Sequence, residues 1–335
     1  MRTRVCLTHL GGGYEDSSQM APWVREDLDI LAERMNPRAF LYGSRTDVPR
    51  LASVLLASDV SLNWFAWDNA LWSIRLGRWF RVPGLVILAG FDVANEPDFA
   101  YGALRTAEGR AKVRSVLKGA AHVFALSEFV RESALNVAPN TPIETVPLGF
   151  DAAEFPPGPE PAERHAVCTI GDVDETNLKR KGILDVIEVA RHLDDIPVFV
   201  AGKISPNLKN FVSHAPPNVT FLDHVPKETL VRVLQDSRVY LQLSRHEGFG
   251  AAVAEAMLCR CIPVLSRAGA LPEVAGNAGQ YVELGNAERI AEVVRRVFES
   301  GDRADAARQR VIDTFPQKKR RDLLLRRVEE AVSKA

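Results

Sequence analysis

The sequence predicts an α/β fold built from two doubly wound domains, and three observations carry that prediction. Short apolar runs alternate with amphipathic stretches from one end of the chain to the other. The length, 335 residues, gives about two domains at roughly 150 residues each. Near the middle, Phe155-Pro156-Pro157-Gly158-Pro159-Glu160-Pro161 concentrates residues that fix φ and remove backbone donors.

Strands are predicted at Val5–His9, Val60–Trp64, Leu85–Ala89, His122–Leu126 and Ile143–Pro147. A second set follows at Ala166–Ile170, Val198–Ala201, Val219–Leu222, Val239–Leu243 and Ile262–Leu265. Helical periodicity marks Trp23–Met35, Ala66–Phe80, Glu108–Lys118, Ile183–Leu193, Glu228–Gln235 and Ala251–Leu258. Near-continuous apolar strands separated by helices mean parallel sheets covered on both faces. The expected domains are 1–155 and 156–316. A basic amphipathic helix over 317–335 follows them, able to cross back to the first domain. Two such sheets facing each other would gather the carboxyl ends of their strands around a shared cleft, where ligands of doubly wound folds bind.

Composition excludes several classes. Hydrophobic residues at 46% and charged residues at 25% are ordinary for a soluble globular protein and argue against disorder. Lys plus Arg number 42 against 43 Asp plus Glu, so no basic excess points to bulk nucleic-acid binding. No apolar run approaches the ~18 residues needed to cross a bilayer, and the N-terminus lacks signal-peptide character. Cys6, Cys168, Cys259 and Cys261 are too few for a disulfide framework, and Cys259-Arg260-Cys261 has no second ligand pair in a zinc-like spacing. Buried, reduced thiols and a cytoplasmic location are expected.

Chemistry concentrates between Val239 and Glu273. A strand runs into Arg245-His246-Glu247-Gly248-Phe249-Gly250, and a helix then begins at Ala251. Glycines at such a turn let backbone amides approach an anion, and the helix N-terminus adds partial positive charge. Glu255 lies five residues beyond Gly250, about 7.5 Å along the helix axis. An exposed carboxylate accepts from two sugar hydroxyls at once, so Glu247 and Glu255 could hold opposite ends of an elongated ligand. The plainer alternative is a solvated helix residue and a loop charge. Ala251, Ala252, Ala254 and Ala256 leave Glu255 little shielding, which favours the ligand role.

The stretch Glu247-Gly-Phe-Gly-Ala-Ala-Val-Ala-Glu255 resembles the E-x7-E motif of family 4 retaining glycosyltransferases of the B-type (GT-B) fold. The resemblance continues through Ala256-Met257, Ile262-Pro263-Val264 and Leu271-Pro272-Glu273-Val274. It is more diffuse at Ile170-Gly171, Lys181-Gly182, Gly149-Phe150-Asp151 and the pair Gly11-Gly12. It implies that Glu247 contacts hydroxyls of the transferred sugar and that Glu255 binds the nucleotide ribose. It also places Gly248 and the amides of Phe249 and Gly250 against sugar and phosphates. A diphosphate leaving group in a metal-free site needs cations, and Lys179-Arg180-Lys181, expected to open the helix after Gly171, supplies them. Two departures stand out. Asp172 occupies the position after Gly171 where many relatives carry arginine. The loop Ala89-Gly90-Phe91-Asp92 lacks the histidine that many relatives hold near the sugar, leaving Asp92 and backbone groups, with His9 the nearest replacement.

Other signals are weaker. Asp172-Val173-Asp174 and Asp27-Leu28-Asp29 both read D-x-D, a metal-holding pattern in A-type glycosyltransferases that is also frequent by chance. The first βα turn has no G-x-G-x-x-G, and no G-x-S-x-G or P-loop is present. Trp64, Trp67, Trp72 and Trp79 interleave with Arg75, Arg78 and Arg81, a pattern able to pack on the sheet or to meet an acceptor or a membrane surface. The basic C-terminal helix reads as a solvated face.

The resulting expectation is a metal-independent retaining transferase moving a hexose from a nucleoside-diphosphate sugar to a hydroxyl acceptor. No cofactor is needed and peripheral membrane contact is open to it. A nucleotide-sugar epimerase of the same fold and a non-catalytic nucleotide-sugar binder are the alternatives.

Overall fold

The structure, a computed structural model, describes residues 2–11, 20–160, 164–299 and 303–334. The chain divides into two compact units, Met1–Gly149 with Gln317–Ala335, and Phe150–Pro316. The first crossing therefore lies at Gly149–Phe150, ahead of the proline-rich stretch.

The first unit contains strands β1 (Arg4–Leu10), β2 (Asn36–Tyr42), β3 (Val60–Trp64), β4 (Gly84–Leu88), β5 (His122–Ala125) and β6 (Ile143–Thr145). They form one parallel sheet in the order β2-β1-β3-β4-β5-β6. Helices α1 (Pro22–Arg34), α2 (Val48–Leu56), α3 (Asp68–Phe80), α4 (Ala107–Gly119) and α5 (Glu128–Val137) connect the strands. Every residue of β3 and β4 is buried, as central strands covered on both faces require. Strand β2 has no counterpart among the predicted strands, because Asn36-Pro37-Arg38 reads as a turn. It sits at the sheet edge, where a proline's missing donor leaves no ladder bond unmade.

The second unit repeats the plan with β7 (Ala166–Ile170), β8 (Val198–Ala201), β9 (Val219–Leu222), β10 (Ser237–Gln242), β11 (Ile262–Leu265) and β12 (Gln280–Tyr281). The order is β12-β11-β10-β7-β8-β9, again parallel. Helices α6 (Glu175–Arg180), α7 (Ile183–Ala190), α8 (Lys209–Ser213), α9 (Lys227–Asp236), α10 (Ala251–Leu258), α11 (Leu271–Ala275), α12 (Ala287–Glu299) and α13 (Ala304–Thr314) belong to this unit.

In each sheet the chain winds outward one way from its first strand, then crosses back and winds the other way. The reversal falls between β1 and β3 in the first unit and between β7 and β10 in the second. Beyond the carboxyl ends of strands flanking such a reversal, no crossover covers the sheet edge, and a crevice forms there.

The last helix, α14 (Gln317–Ser333), completes the first unit. Its basic residues were expected in water, yet Arg320 is buried. The guanidinium donates to both carboxylate oxygens of Asp27 at 2.8 Å and to the Val146 and Pro147 carbonyls at 3.1 and 3.0 Å. Trp64 Nε1 donates to the same carboxylate at 3.1 Å, and its ring faces the guanidinium. Asp27 is thus a structural anchor and not half of a metal pair.

Removing one partner of a buried pair strands the other charge, which costs about 3–5 kcal/mol. The substitution Arg320→Met should lower stability by that amount in urea denaturation, while Arg326→Met on the exposed side of α14 should change it by less than about 0.5 kcal/mol.

Candidate functional site

The reversal in the second sheet brings together the segments that follow β7 and β10. After β7 come Gly171, the short helix α6, then Lys181 and Gly182 before α7. Gly182 adopts φ 70°, and a Cβ there would collide with the Leu243 carbonyl, so only glycine lets this joint lie flat on the end of β10. After β10 come residues 243–250 and then α10, whose N-cap is Gly250 at φ 103°.

Direct bonds link the two segments. Arg245 donates its amide to the Arg180 carbonyl at 2.8 Å. Its guanidinium donates to the Lys179 carbonyl at 3.1 Å and to both oxygens of Asp185 at 2.6 and 3.1 Å. Lys181 Nζ donates to Glu247 Oε2 at 2.5 Å. The same oxygen accepts from Gln242 Nε2 at 2.8 Å, and Gln242 is held in turn by the Tyr240 hydroxyl and Ser244, all of them buried.

Glu247 differs from the exposed acceptor expected from sequence, since only 8% of the residue is accessible. Burial pushes its carboxyl up, but Lys181, Arg180 and the Lys181 hydrogen bond outweigh burial and hold it below the ordinary carboxylate range. Glu247 is therefore an ionised carboxylate in a confined setting, preoriented by Gln242 and charge-matched by Lys181.

The cationic triplet also sits differently from expectation. Lys179 and Arg180 close α6, where cations complement the helix dipole, and Lys181 follows it. Lys179 is exposed. The Arg180 guanidinium donates to Asn177 Oδ1 at 3.0 and 2.6 Å. The D-x-D carboxylates serve separate ends: Asp174 caps α6 through the Asn177 amide at 2.8 Å, and Asp172 accepts from the Lys203 amide at 2.9 Å.

Gly248, Phe249 and Gly250 complete the loop. The Phe249 ring is buried, stacked on Phe150 at 6.2 Å and edge-on to Phe315 at 5.5 Å, so its side chain is spent on packing. In α10, Val253, Ala254, Ala256, Met257 and Leu258 face the core. Ala251, Ala252 and Glu255 share the half-buried side.

Residues expected in the first unit fare otherwise. Asp92 is 1% exposed, and its carboxylate accepts the Ala89 amide at 2.9 Å and the Ala66 amide. Burial pushes that carboxyl up to about 6 against the opposing pull of the backbone amides. Asp92 thereby shapes its loop through backbone amides. Gly11 donates its amide to the Tyr42 carbonyl at 3.0 Å, and Gly12 lies outside the described residues. His9 is the penultimate residue of β1, with its ring 5.7 Å from Phe65. Sequence reasoning missed Gln242 and Arg245. The signal for Gln242 is a polar residue within the run Val239–Leu243 predicted as a strand.

Comparison with known proteins matches this architecture. Residues 170–313 match the family described as glycosyl transferases group 1. An MMP alpha-(1->4)-mannosyltransferase of Mycolicibacterium hassiacum is 27% identical over 187 residues, covering 52% of this chain and 44% of that protein. The chain thus spans less than half the length of that curated relative. Among solved structures, sucrose-phosphate synthase from Thermosynechococcus elongatus superposes with TM-score 0.79 at 16% identity, covering 100% of both chains. Anabaena HepE in complex with UDP and glucose superposes with TM-score 0.76 at 13% identity, covering 99% of this chain and 100% of that one. The fold is that of GT-B proteins, with two Rossmann-like units, and residues 170–313 of the second unit are similar to the group 1 glycosyl transferases.

The Lys181–Glu247 pair yields a signed pH prediction. A carboxyl held below its unfolded value contributes stability at neutral pH, and that contribution is lost as pH falls through the folded value. In Lys181→Met the buried Glu247 loses its nearest cation and its carboxyl rises. The variant should be about 3 kcal/mol less stable than wild type at neutral pH, with the deficit shrinking on acidification. Urea denaturation at neutral and acidic pH measures this, and a deficit that does not change with pH contradicts it.

Proposed function

We propose that the protein is a retaining glycosyltransferase of the family 4 kind, moving a hexose from a nucleoside-diphosphate sugar to a hydroxyl acceptor in the cytoplasm. The observation that carries this is the ionised Glu247 paired with Lys181 at the β7/β10 reversal, beside the glycine-capped N-terminus of α10. The group 1 match over the same residues and a neighbour in complex with UDP and glucose support a nucleotide-sugar donor. The mannosyltransferase relative supports a hexose.

The donor diphosphate lies against the amides of Phe249 and Gly250, where the α10 dipole favours negative charge. Lys181 and Arg180, with Lys179 at the rim, offset the charge that grows on the β-phosphate as the anomeric C–O bond breaks, doing this with side-chain cations. Glu255 accepts from the ribose hydroxyls, about 7.5 Å along α10 from the Gly250 amide. Glu247 accepts from a hydroxyl of the transferred sugar and Gly248 lets the ring approach. The acceptor oxygen attacks the face the phosphate leaves, and its proton passes to the departing phosphate oxygen. Configuration is thereby retained without a protein nucleophile. The second unit holds the donor, and the first holds the acceptor.

The test is direct. A panel of UDP-, GDP- and ADP-sugars should contain one that raises the melting point of the protein, since a ligand bound only by the folded state stabilises it. Glu255→Ala should weaken that donor by about 10- to 100-fold, the loss of a charged hydrogen-bonding partner. Glu247→Gln should cut turnover by about 10²–10³, and EDTA should leave wild-type turnover unchanged. Undiminished donor binding in Glu255→Ala would remove the ribose assignment.

A further inference from the structure

Away from the candidate site, one edge of the first unit combines exposed apolar and cationic side chains. Helix α3 lies between α2 and α4. Crossover helices of a parallel sheet run back against their strands, so the carboxyl ends of these three gather where the strands begin. That edge is opposite the β1/β3 reversal. Trp79, in the last turn of α3, is 87% exposed, and Leu56, the last residue of α2, is 62% exposed. Arg75 and Arg78 on α3, Arg81 just beyond it and Lys118 near the end of α4 are exposed as well.

On α3 and α4 the carboxylates lie at the far ends, and Asp59, which follows α2 just ahead of β3, is paired with Arg4 at 2.6 Å. Asp68 and Glu108, the acidic residues of α3 and α4, both lie in first turns, and Asp68 pairs with Lys112 at 2.8 Å. The whole chain carries a net charge of only −1, so the cations here are a local concentration. Complementing the helix dipoles accounts for cations at helix ends. It does not account for an indole left in water, where burial of its apolar surface would be favourable.

We propose that this edge docks on an anionic phospholipid surface. The Trp79 ring and Leu56 enter the headgroup layer, where an indole's apolar body and polar N–H are both satisfied. The four cations meet lipid phosphates, each contributing attraction that salt screens. This inference goes beyond the transferase reading and does not depend on it, because the assay contains no sugar nucleotide.

The full chain is sedimented with vesicles of phosphatidylcholine alone and of equal parts phosphatidylcholine and phosphatidylglycerol. It should pellet with the anionic vesicles only, and less at high salt. Trp79→Ser should reduce binding by about tenfold, and Arg78→Gln with Arg81→Gln by about thirtyfold, with melting points unchanged because these side chains are exposed. Failure to pellet with anionic vesicles, equal pelleting with both kinds, or unaltered binding in folded variants overturns the proposal.

Discussion

The Lys181–Glu247 ion pair, reinforced by Arg245, is the interaction on which the candidate site depends. It joins the segment after β7 to the segment after β10, and these strands flank the place where the second sheet reverses its winding. A parallel sheet creates the crevice, but two unrelated loops lie across it, and nothing in sheet geometry alone sets their spacing. Arg245 ties α6 and α7 to the loop through Lys179 and Asp185, while Lys181 and Gln242 converge on one carboxylate oxygen of Glu247. Such prior arrangement matters because groups already oriented need little reorganisation when charge develops.

The same network explains why Glu247 can be both buried and charged. A lone carboxylate at that depth would take up a proton. Lys181 and Arg180 reverse the preference, and Gln242 supplies a neutral donor that fixes the oxygen without adding charge. The first unit uses a similar device with a different purpose. Arg320 reaches Asp27 from α14, binding that helix to α1 through a buried pair that also holds Trp64 of β3.

Much of this was legible in the sequence, for physical reasons. Continuous apolar runs revealed the central strands, because burial on both faces leaves no room for alternation. Two edge strands escaped: β2 carries a proline as its second residue, and β12 spans only Gln280–Tyr281. The loop from Glu247 to Gly250 and the helix bearing Glu255 were visible as glycines and alanines at a strand-to-helix turn. Their partners were not. The bond between Lys181 and Glu247 joins residues 66 positions apart, and no local pattern encodes it. Arg245, Gln242 and Arg320 each read as ordinary polar residues until packing brought them to a carboxylate. The burial of Asp92 was equally hidden, since a carboxylate in a glycine-bearing loop gives no sign of the backbone amides it accepts.

The central claim is that these two joined segments grip the nucleotide diphosphate. Hydrogen–deuterium exchange of the full chain, with and without the nucleoside diphosphate that most raises its melting point, tests it most directly. Slowed exchange concentrated in residues 171–182 and 245–256 is the predicted result. Protection confined to other segments, with these two unchanged while the ligand is bound, would contradict it.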